Sequence, residues 1–563
     1  MSKSRKSFGR GGAGLNAPVR AALLLVGLAG GLGGCKAVGP DYQAPELRTP
    51  RAWASAMSGG LSPGGTGLAA DGAGGEQARW WSLLQDPVLV SLVERVVAGN
   101  PDLRVAEARV REARAAWLIA GAGGKPNIDA TGDYSRSTPS ENTGQLPEGF
   151  YGDGRDLFQG GFDASWELDV FGATRRSVEA ARADLGAAQW AKRDVLVSLI
   201  GETARQYVEL RTAQRRLAIA RENQQSQRQT LELTQSRLRA GITSELDVTQ
   251  ARGQLATTTA TLPVFEAQAA QAVYALSVLT GRAPGALVQE LVQELGQSGE
   301  PAQGGAIPLS ASGAALALPV GVPMDLVRRR PDVRRAEREL AAATARVGVA
   351  TAELYPSFSL RGAIGLASSR VGNFFEGDSR YWSIAPGVRW NLLDFGRVRS
   401  RIQLQEAGVA GALASYEGGV LRALREVDSA IVGFTTSSAR REALAEAVAA
   451  QKRAVEIATD RYRQGLSDFI SVLDAQRQLL ALQDQEAESL GGVTLSVVQL
   501  YKSLGGGWEI EGENPGPAGG PQEGPQGEPA RGPVIDLSDE RSGGSVPVTL
   551  ESPGAPGAAE VGG

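Results

Sequence analysis

The sequence predicts a mainly α-helical chain with membrane-spanning β-structure, built from one unit written twice, each copy holding a long helical hairpin and a pair of β-strands. Three observations predict it. A segment repeats at constant offset, two stretches free of proline are too long for a compact domain, and four segments of about ten residues alternate apolar and polar side chains.

The repeat is clearest at Arg237–Ala251, which aligns with Arg461–Ala475 at an offset of 224. Val273, Leu276 and Gly281 meet Val497, Leu500 and Gly505, and Trp166 and Phe171-Gly172 meet Trp390 and Phe395-Gly396, at the same offset. Upstream, Pro101-Asp102 and Pro126 meet Pro331-Asp332 and Pro356 at 230. The six extra positions must lie between Pro126 and Trp166 in the first copy, where Ser135 to Asp156 reads as a polar loop.

Each copy opens with a helix whose first turn holds Pro101 or Pro331, with Asp102 or Asp332 beside it favouring the helix dipole. Strands follow. Phe158 to Val170 alternates, with Asn127 to Tyr134 as a weaker partner; Phe358 to Leu366 and Trp382 to Leu392 alternate in the second copy. Helices are then predicted from about Thr174 to Arg239 and Val398 to Arg463, each roughly 100 Å long at about 1.5 Å per residue. Gly241 and Gly465 break them, and return helices run to Thr280 and Leu504, the first kinked at Pro263.

Composition bounds the chemistry. The 563 residues include no His and one Cys, which excludes Ser-His-Asp machinery, imidazole metal sites and internal disulfides. No Gly-rich nucleotide loop is present. Residues 1–34 carry +5 and residues 511–563 carry −7, leaving a near-neutral body with no basic surface for nucleic acid. The tail holds 13 Gly and 9 Pro without an aromatic residue and reads as disordered.

The apolar run Ala21–Leu32 is too short for a spanning helix and follows a basic stretch, as a leader does. It ends at Leu32-Gly33-Gly34-Cys35, which resembles the lipobox of bacterial lipoproteins; the alternative is an ordinary leader with an incidental Cys. The predicted divisions are a leader (1–34), a lipidated segment and linker (35–99, flexible at 56–77), a first repeat (100–285), a connection (286–325), a second repeat (326–508) and the tail (509–563).

Four motifs together resemble the TolC-like outer-membrane efflux proteins, specifically the lipoprotein branch serving resistance-nodulation-division pumps. They are Cys35 with Val38-Gly39-Pro40-Asp41-Tyr42, Val322 to Glu337, Trp390 to Gly396, and the Gly241 and Gly465 turns. The resemblance spans about residues 35 to 508. It implies a homotrimer whose three chains form a 12-stranded barrel on a periplasmic α-helical tunnel. It also implies a passive outer-membrane duct, not an enzyme, working with a periplasmic adaptor and an inner-membrane pump.

The same resemblance implies site roles. Cys35 would carry a covalent lipid, with no other cofactor and no metal. Arg239, Gly241, Thr243, Arg463, Gly465 and Ser467 would dock the adaptor, with the hydroxyls capping the next helices, or would only shape good helical turns. Asp247 and Asp474 would ring the pore entrance, or would be a solvated helix face. Asp468 reads as a helix start, and Trp80-Trp81 as packing outside the bilayer. Two alternatives for the whole chain stay open, a type I protein secretion channel and a membrane-tethered coiled-coil scaffold without a pore.

Overall fold

The computed structural model describes residues 36–48, 53, 79–138, 154–292, 327–509 and 534–536. The expected leader, Cys35, the 56–77 linker and nearly all of the tail lie outside these residues.

The duplication is reproduced element by element. Helices α2 (Pro101–Ala122) and α6 (Pro331–Ala352) have 22 residues each; the long helices α3 (Ala173–Arg239) and α7 (Arg397–Arg463) have 67 each, and the return helices α4 (Glu245–Leu279) and α8 (Phe469–Ser503) have 35 each. Ahead of them come the strand β1 (Glu46–Arg48) and the helix α1 (Pro87–Gly99), and a short α5 (Val288–Val292) follows α4. Helix α4 runs through Pro263 as one continuous helix, so the proline does not divide it.

Glycine ends the long and return helices in one way. Gly241, Gly281, Gly465 and Gly505 all have positive φ, and the residue after each donates back to a carbonyl five positions earlier, as Ile242 does to Arg237 at 2.9 Å and Leu466 to Arg461 at 2.8 Å. This double-bonded end satisfies carbonyls that the helix leaves over. The two long helices also close on basic residues, Arg237 and Arg239 or Arg461 and Arg463, which suit the negative end of the dipole.

Strands β2 (Asn127–Ser137), β3 (Arg155–Leu168), β4 (Ser357–Ser368) and β5 (Arg380–Arg389) form one antiparallel sheet in that order. Sequence and structure differ at the ends. Strand β2 runs to Ser137 rather than Tyr134, because Ser135, Arg136 and Ser137 find partners in Leu157, Asp156 and Arg155. Strand β5 stops at Arg389, not Leu392. Arg389 already pairs with Ser357, and Pro356 before it has no N–H to extend the ladder. Strand β3 likewise ends at Leu168 rather than Val170. The hairpin loops then span 138–154 and 369–379, and their lengths differ by the six positions that separate the two offsets.

One indole in each copy fixes the base of the sheet. Trp166 Nε1 donates to the Gly124 carbonyl at 3.0 Å and Trp390 Nε1 to the Leu354 carbonyl at 3.1 Å. Gly121–Lys125 differs in sequence from its counterpart Thr351–Tyr355, yet the bond is kept, since only a backbone acceptor is needed.

The main core lies where α1 and the turn of helix at Trp80–Leu84 pack against α3, α4 and α8. Trp80, Leu89, Leu92, Leu196, Tyr207, Leu276, Leu500 and Trp508 are buried in it, and Trp80 stacks on Tyr501 with centroids 5.5 Å apart. Residues 79–99, ahead of the first repeat, thus contribute to the core. Asp86 caps α1 by accepting from Val88 and Leu89 N–H, and also accepts from the Tyr207 hydroxyl at 2.6 Å, which in turn accepts from Arg211 Nε at 2.8 Å. Strand β1 pairs in parallel with a tail segment, β6 (Val534–Asp536).

Candidate functional site

Two regions carry chemistry that a structural protein does not need, the sheet and the tips of the two helical hairpins.

Alternation along four registered strands sorts the sheet into two faces. Ile128, Ala130 and Tyr134 share one face with Phe158, Phe162 and Trp166, then with Phe358, Leu360 and Ile364, then with Trp382, Ile384 and Val388. Asp129, Thr131, Asp163, Glu167, Ser359, Arg361 and Ser383 share the other. Phe162, Ile364, Trp382 and Ile384 are exposed, so most of the apolar face is open among the described residues. Strands β2 and β5 each have one unpaired edge there.

The hairpin tips bring the predicted residues together, copy by copy. Gly241 and Gly465 hold φ of 70° and 76°, a conformation that costs an L-residue with a side chain about 1–2 kcal/mol. Arg239 and Arg463 are exposed at the helix ends, bonded to Ser236 Oγ at 3.0 Å and Asp460 at 3.4 Å. The hydroxyls do not cap the return helices as expected. The N-cap positions belong to Ser244 and Asp468, the latter being the helix start foreseen for it, and neither side chain bonds the helix backbone. Thr243 instead donates to the Asp247 carboxylate one turn on, while Ser467 Oγ is buried without a partner.

The two acids are not equivalent. At the 224 offset Asp247 faces Ser471, and Asp474 faces Gln250. Their different distances from the tip glycines place them about 4.5 Å apart in height along matching helices. Asp247 is half-buried and also accepts from Ser244 Oγ at 3.2 Å; Asp474 is exposed and accepts from Gln478 at 3.0 Å.

The structure adds residues that motif carry-over missed. Ile242 and Leu466, equivalent at the tip, are each 63% exposed, and the equivalent pair Leu246 and Ile470 are 62% and 52% exposed. These four apolar side chains flank the glycines, and the repeat alignment already paired them. The second addition links the hairpins. Tyr462 is buried against Phe469, and its hydroxyl lies 3.3 Å from Thr243 Oγ1; because the Thr243 proton goes to Asp247, the Tyr462 hydroxyl is the donor. Arg237 completes the link, donating to the carbonyls of Tyr462 and Arg463 at 3.0 and 3.1 Å.

A third cluster sits at the base of the sheet. Arg176, almost fully buried, donates to the carbonyls of Val38 and Gly39, each at 3.1 Å, and to Asp41 at 2.6 Å. Val38 N–H donates to the Phe171 carbonyl at 3.0 Å, so the segment just after Cys35 is held where β3 passes into α3. Gly39 admits this approach because a Cβ there would lie 2.4 Å from the Gly348 Cα. Partial burial raises the Asp41 carboxyl, but Arg176 and Lys36 outweigh it and hold it below its usual range.

Comparison with known proteins fits this architecture. Residues 92–282 and 322–506 match the family described as "Outer membrane efflux protein", one match per copy. The solvent efflux pump outer membrane protein SrpC of Pseudomonas putida is 32% identical over 489 residues, covering 85% of this chain and 97% of that protein. Nodulation protein T of Rhizobium leguminosarum bv. trifolii is 30% identical over 477 residues, covering 85% and 95%. The solved outer-membrane channel OprN superimposes with a TM-score of 0.74 at 35% identity, covering 84% of this chain and 99% of that one. With the duplicated hairpins, the two-faced sheet and these matches together, the chain belongs to the outer membrane efflux protein family.

Proposed function

We propose that this protein is the outer-membrane exit duct of a tripartite efflux system, a homotrimer that passes substrate from a periplasmic adaptor and inner-membrane pump to the exterior. The observation that carries the reading is the four-stranded sheet with one apolar face and two unpaired edges. Unpaired backbone groups in hydrocarbon cost several kcal/mol each, so only closure makes such a sheet viable there. Pairing β5 of one copy with β2 of the next closes three copies into twelve strands, with the apolar face toward lipid and the polar face lining a lumen. The helical hairpins then extend the duct into the periplasm. The likeness to a solvent efflux pump outer membrane protein favours efflux over protein secretion.

The hairpin tips form the periplasmic end. Arg239, Gly241, Thr243, Arg463, Gly465 and Ser467 shape the surface that meets the adaptor, and exposed Ile242, Leu246, Leu466 and Ile470 give it apolar contacts. Asp247 and Asp474, three copies of each, put negative charge at the entrance and favour cations there. A lipid on Cys35 would enter the inner leaflet of the outer membrane, since the next residues are pinned at the base of the sheet. The duct does no chemistry of its own; energy comes from the pump.

Planar-bilayer conductance of the full-length trimer tests this. Small cation-selective openings, altered by Asp247→Ala or Asp474→Ala, are the expected result. Correct trimers that stay silent even with the adaptor bound would instead indicate a tethered scaffold.

A further inference from the structure

The hairpin loop at 369–379 does not continue the sheet plane. An L-residue at Gly160 would place its Cβ 3.3 Å from Phe374 Cζ, and position 160 shares its face with Phe158 and Phe162. Phe374 therefore lies on the apolar face, folded back across β3. The loop reaches further, to β2: a notch of about 340 Å³ opens between Tyr134 and Phe158 on the sheet and Val371, Phe374 and Phe375 on the loop, with Asp133 and Gln159 beside them. Tyr134 and Phe158 stack at 4.8 Å, and Phe374 and Phe375 meet edge to face at 5.1 Å.

The loop is built to hold this shape. Ser379, buried, donates its hydroxyl to the Asn373 carbonyl at 2.6 Å, and backbone bonds from Phe374 to Val371 and from Glu376 to Asn373 tighten the bend between. It nevertheless leaves Phe375 85% exposed and Val371 65% exposed. Polar groups begin just above. Tyr134 OH donates to Asp156 at 3.0 Å, and Arg136 stands 3.7 Å from the same carboxylate, so the apolar band ends one step beyond Phe158. Arg370 on one side and Glu376 and Asp378 on the other flank the aromatic pair within the loop. Aromatic side chains bounded by charge suit the boundary between hydrocarbon and headgroups.

We propose that the 369–379 loop is an outer-leaflet anchor, with Phe375 and Val371 inserted into lipid beside the barrel and Phe374 seated on Gly160. The occupant of the notch is lipid acyl chain, because the notch is continuous with the face that meets the membrane. This rests on the sheet being membrane-spanning, and strands enter and leave at the helix end, which puts the loop at the far, outer end. The loop then holds the barrel's height in the membrane and stays clear of the mouth of the pore.

The test places one environment-sensitive dye on full-length trimers in phospholipid vesicles, at Phe375→Cys or, as reference, at Ile384→Cys on the apolar face; unsubstituted protein sets the background from Cys35. Expected is a blue-shifted dye at both positions that loses most of its emission to spin-labelled lipid and little to aqueous iodide. Lipid quenching at 384 with iodide quenching at 375 overturns the anchor alone. A dye at 375 reached by neither quencher also overturns it, since the loop would be packed at a seam between copies. Iodide quenching at both positions overturns the membrane reading itself. As a second readout, Phe375→Asp should lower the trimer's melting temperature in vesicles and leave it unchanged in detergent; equal effects in both would mark a merely structural loop.

Discussion

Arg237 of the first hairpin sits with its guanidinium carbon 4.7 Å from the ring centroid of Tyr462 in the second, and donates to that residue's carbonyl at 3.0 Å. The repeat offers no mirror of this contact. Arg461 occupies the place of Arg237 in the second copy, but Leu238 stands where Tyr462 would be needed. The tie between hairpins therefore runs one way, and the near-symmetric duplication is broken at the tip, the end proposed as the duct's entrance.

Loosening that tie should open the entrance. Arg237→Ala removes two hydrogen bonds and a cation–π contact, together worth about 1–2 kcal/mol, and is expected to raise single-channel conductance. Tyr462→Phe keeps the ring but loses the hydroxyl contact to Thr243, so its effect should be smaller. Bilayer recordings of the two variants check the order.

Glycine contrasts separate backbone strain from space. Gly241 and Gly253 both have nothing within 4 Å of a built Cβ, yet only Gly241 has positive φ. Gly241→Ala should destabilise by about 1–2 kcal/mol, and Gly253→Ala, inside helix α4, should stabilise by about 0.5–1 kcal/mol. Thermal unfolding of the trimer gives both signs.

Charge at the exposed tip should cost binding without costing stability. Ile242→Asp or Leu466→Asp is expected to weaken adaptor capture about tenfold, equivalent to about 1.4 kcal/mol, with unchanged melting. Calibrated pull-down with the purified adaptor measures it.

Two carboxyls near the start of α6 should respond to pH in opposite directions. Burial raises Asp332, but hydrogen bonds and charge from Arg330 overcome this and hold it low; its stabilisation is present above the unfolded value of 3.8 and lost as pH falls through the lowered folded value. Asp194 is raised by burial and then by Asp332, so its contribution is complete below 3.8 and lost as pH rises through the folded value. Asp194→Asn should therefore stabilise at pH 7, with the gain vanishing toward acid. Melting curves across pH 3 to 7 show whether the gap closes.

Removing the Arg176 side chain should release the segment behind the lipid site. Arg176→Ala leaves the Val38 and Gly39 carbonyls and the Asp41 carboxylate without this donor, at a cost of about 2 kcal/mol. Limited proteolysis within residues 36–46 should become faster while the helices stay protected.

Local rules made much of this molecule legible in advance. Both ends of α3 and α7 and the C-terminal ends of α4 and α8 could be set to within a residue or so, because their interiors have few breakers and a glycine must stand where the chain turns left-handed. Period-2 alternation placed the strands, and the two offsets located the longer loop. Strand ends were harder. The end of β5 is set by Pro356, a residue of the partner strand's approach, and the length of β2 by what β3 offers opposite it.

At the candidate site the division is the same. By itself the sequence determined the duplicated plan, the tip glycines and the acids near them, since each follows from spacing along one chain. Tertiary structure decided that Thr243 bonds Asp247 rather than the helix end, that Tyr462 and Arg237 meet across 225 positions, and that Phe374 lies on the apolar face over Gly160. The last two contacts join segments far apart in sequence, and no local preference encodes which ring or carbonyl will arrive. Packing the second copy against the first brings them together, and the chain-entropy cost of each long-range contact is met by the shared burial of all of them.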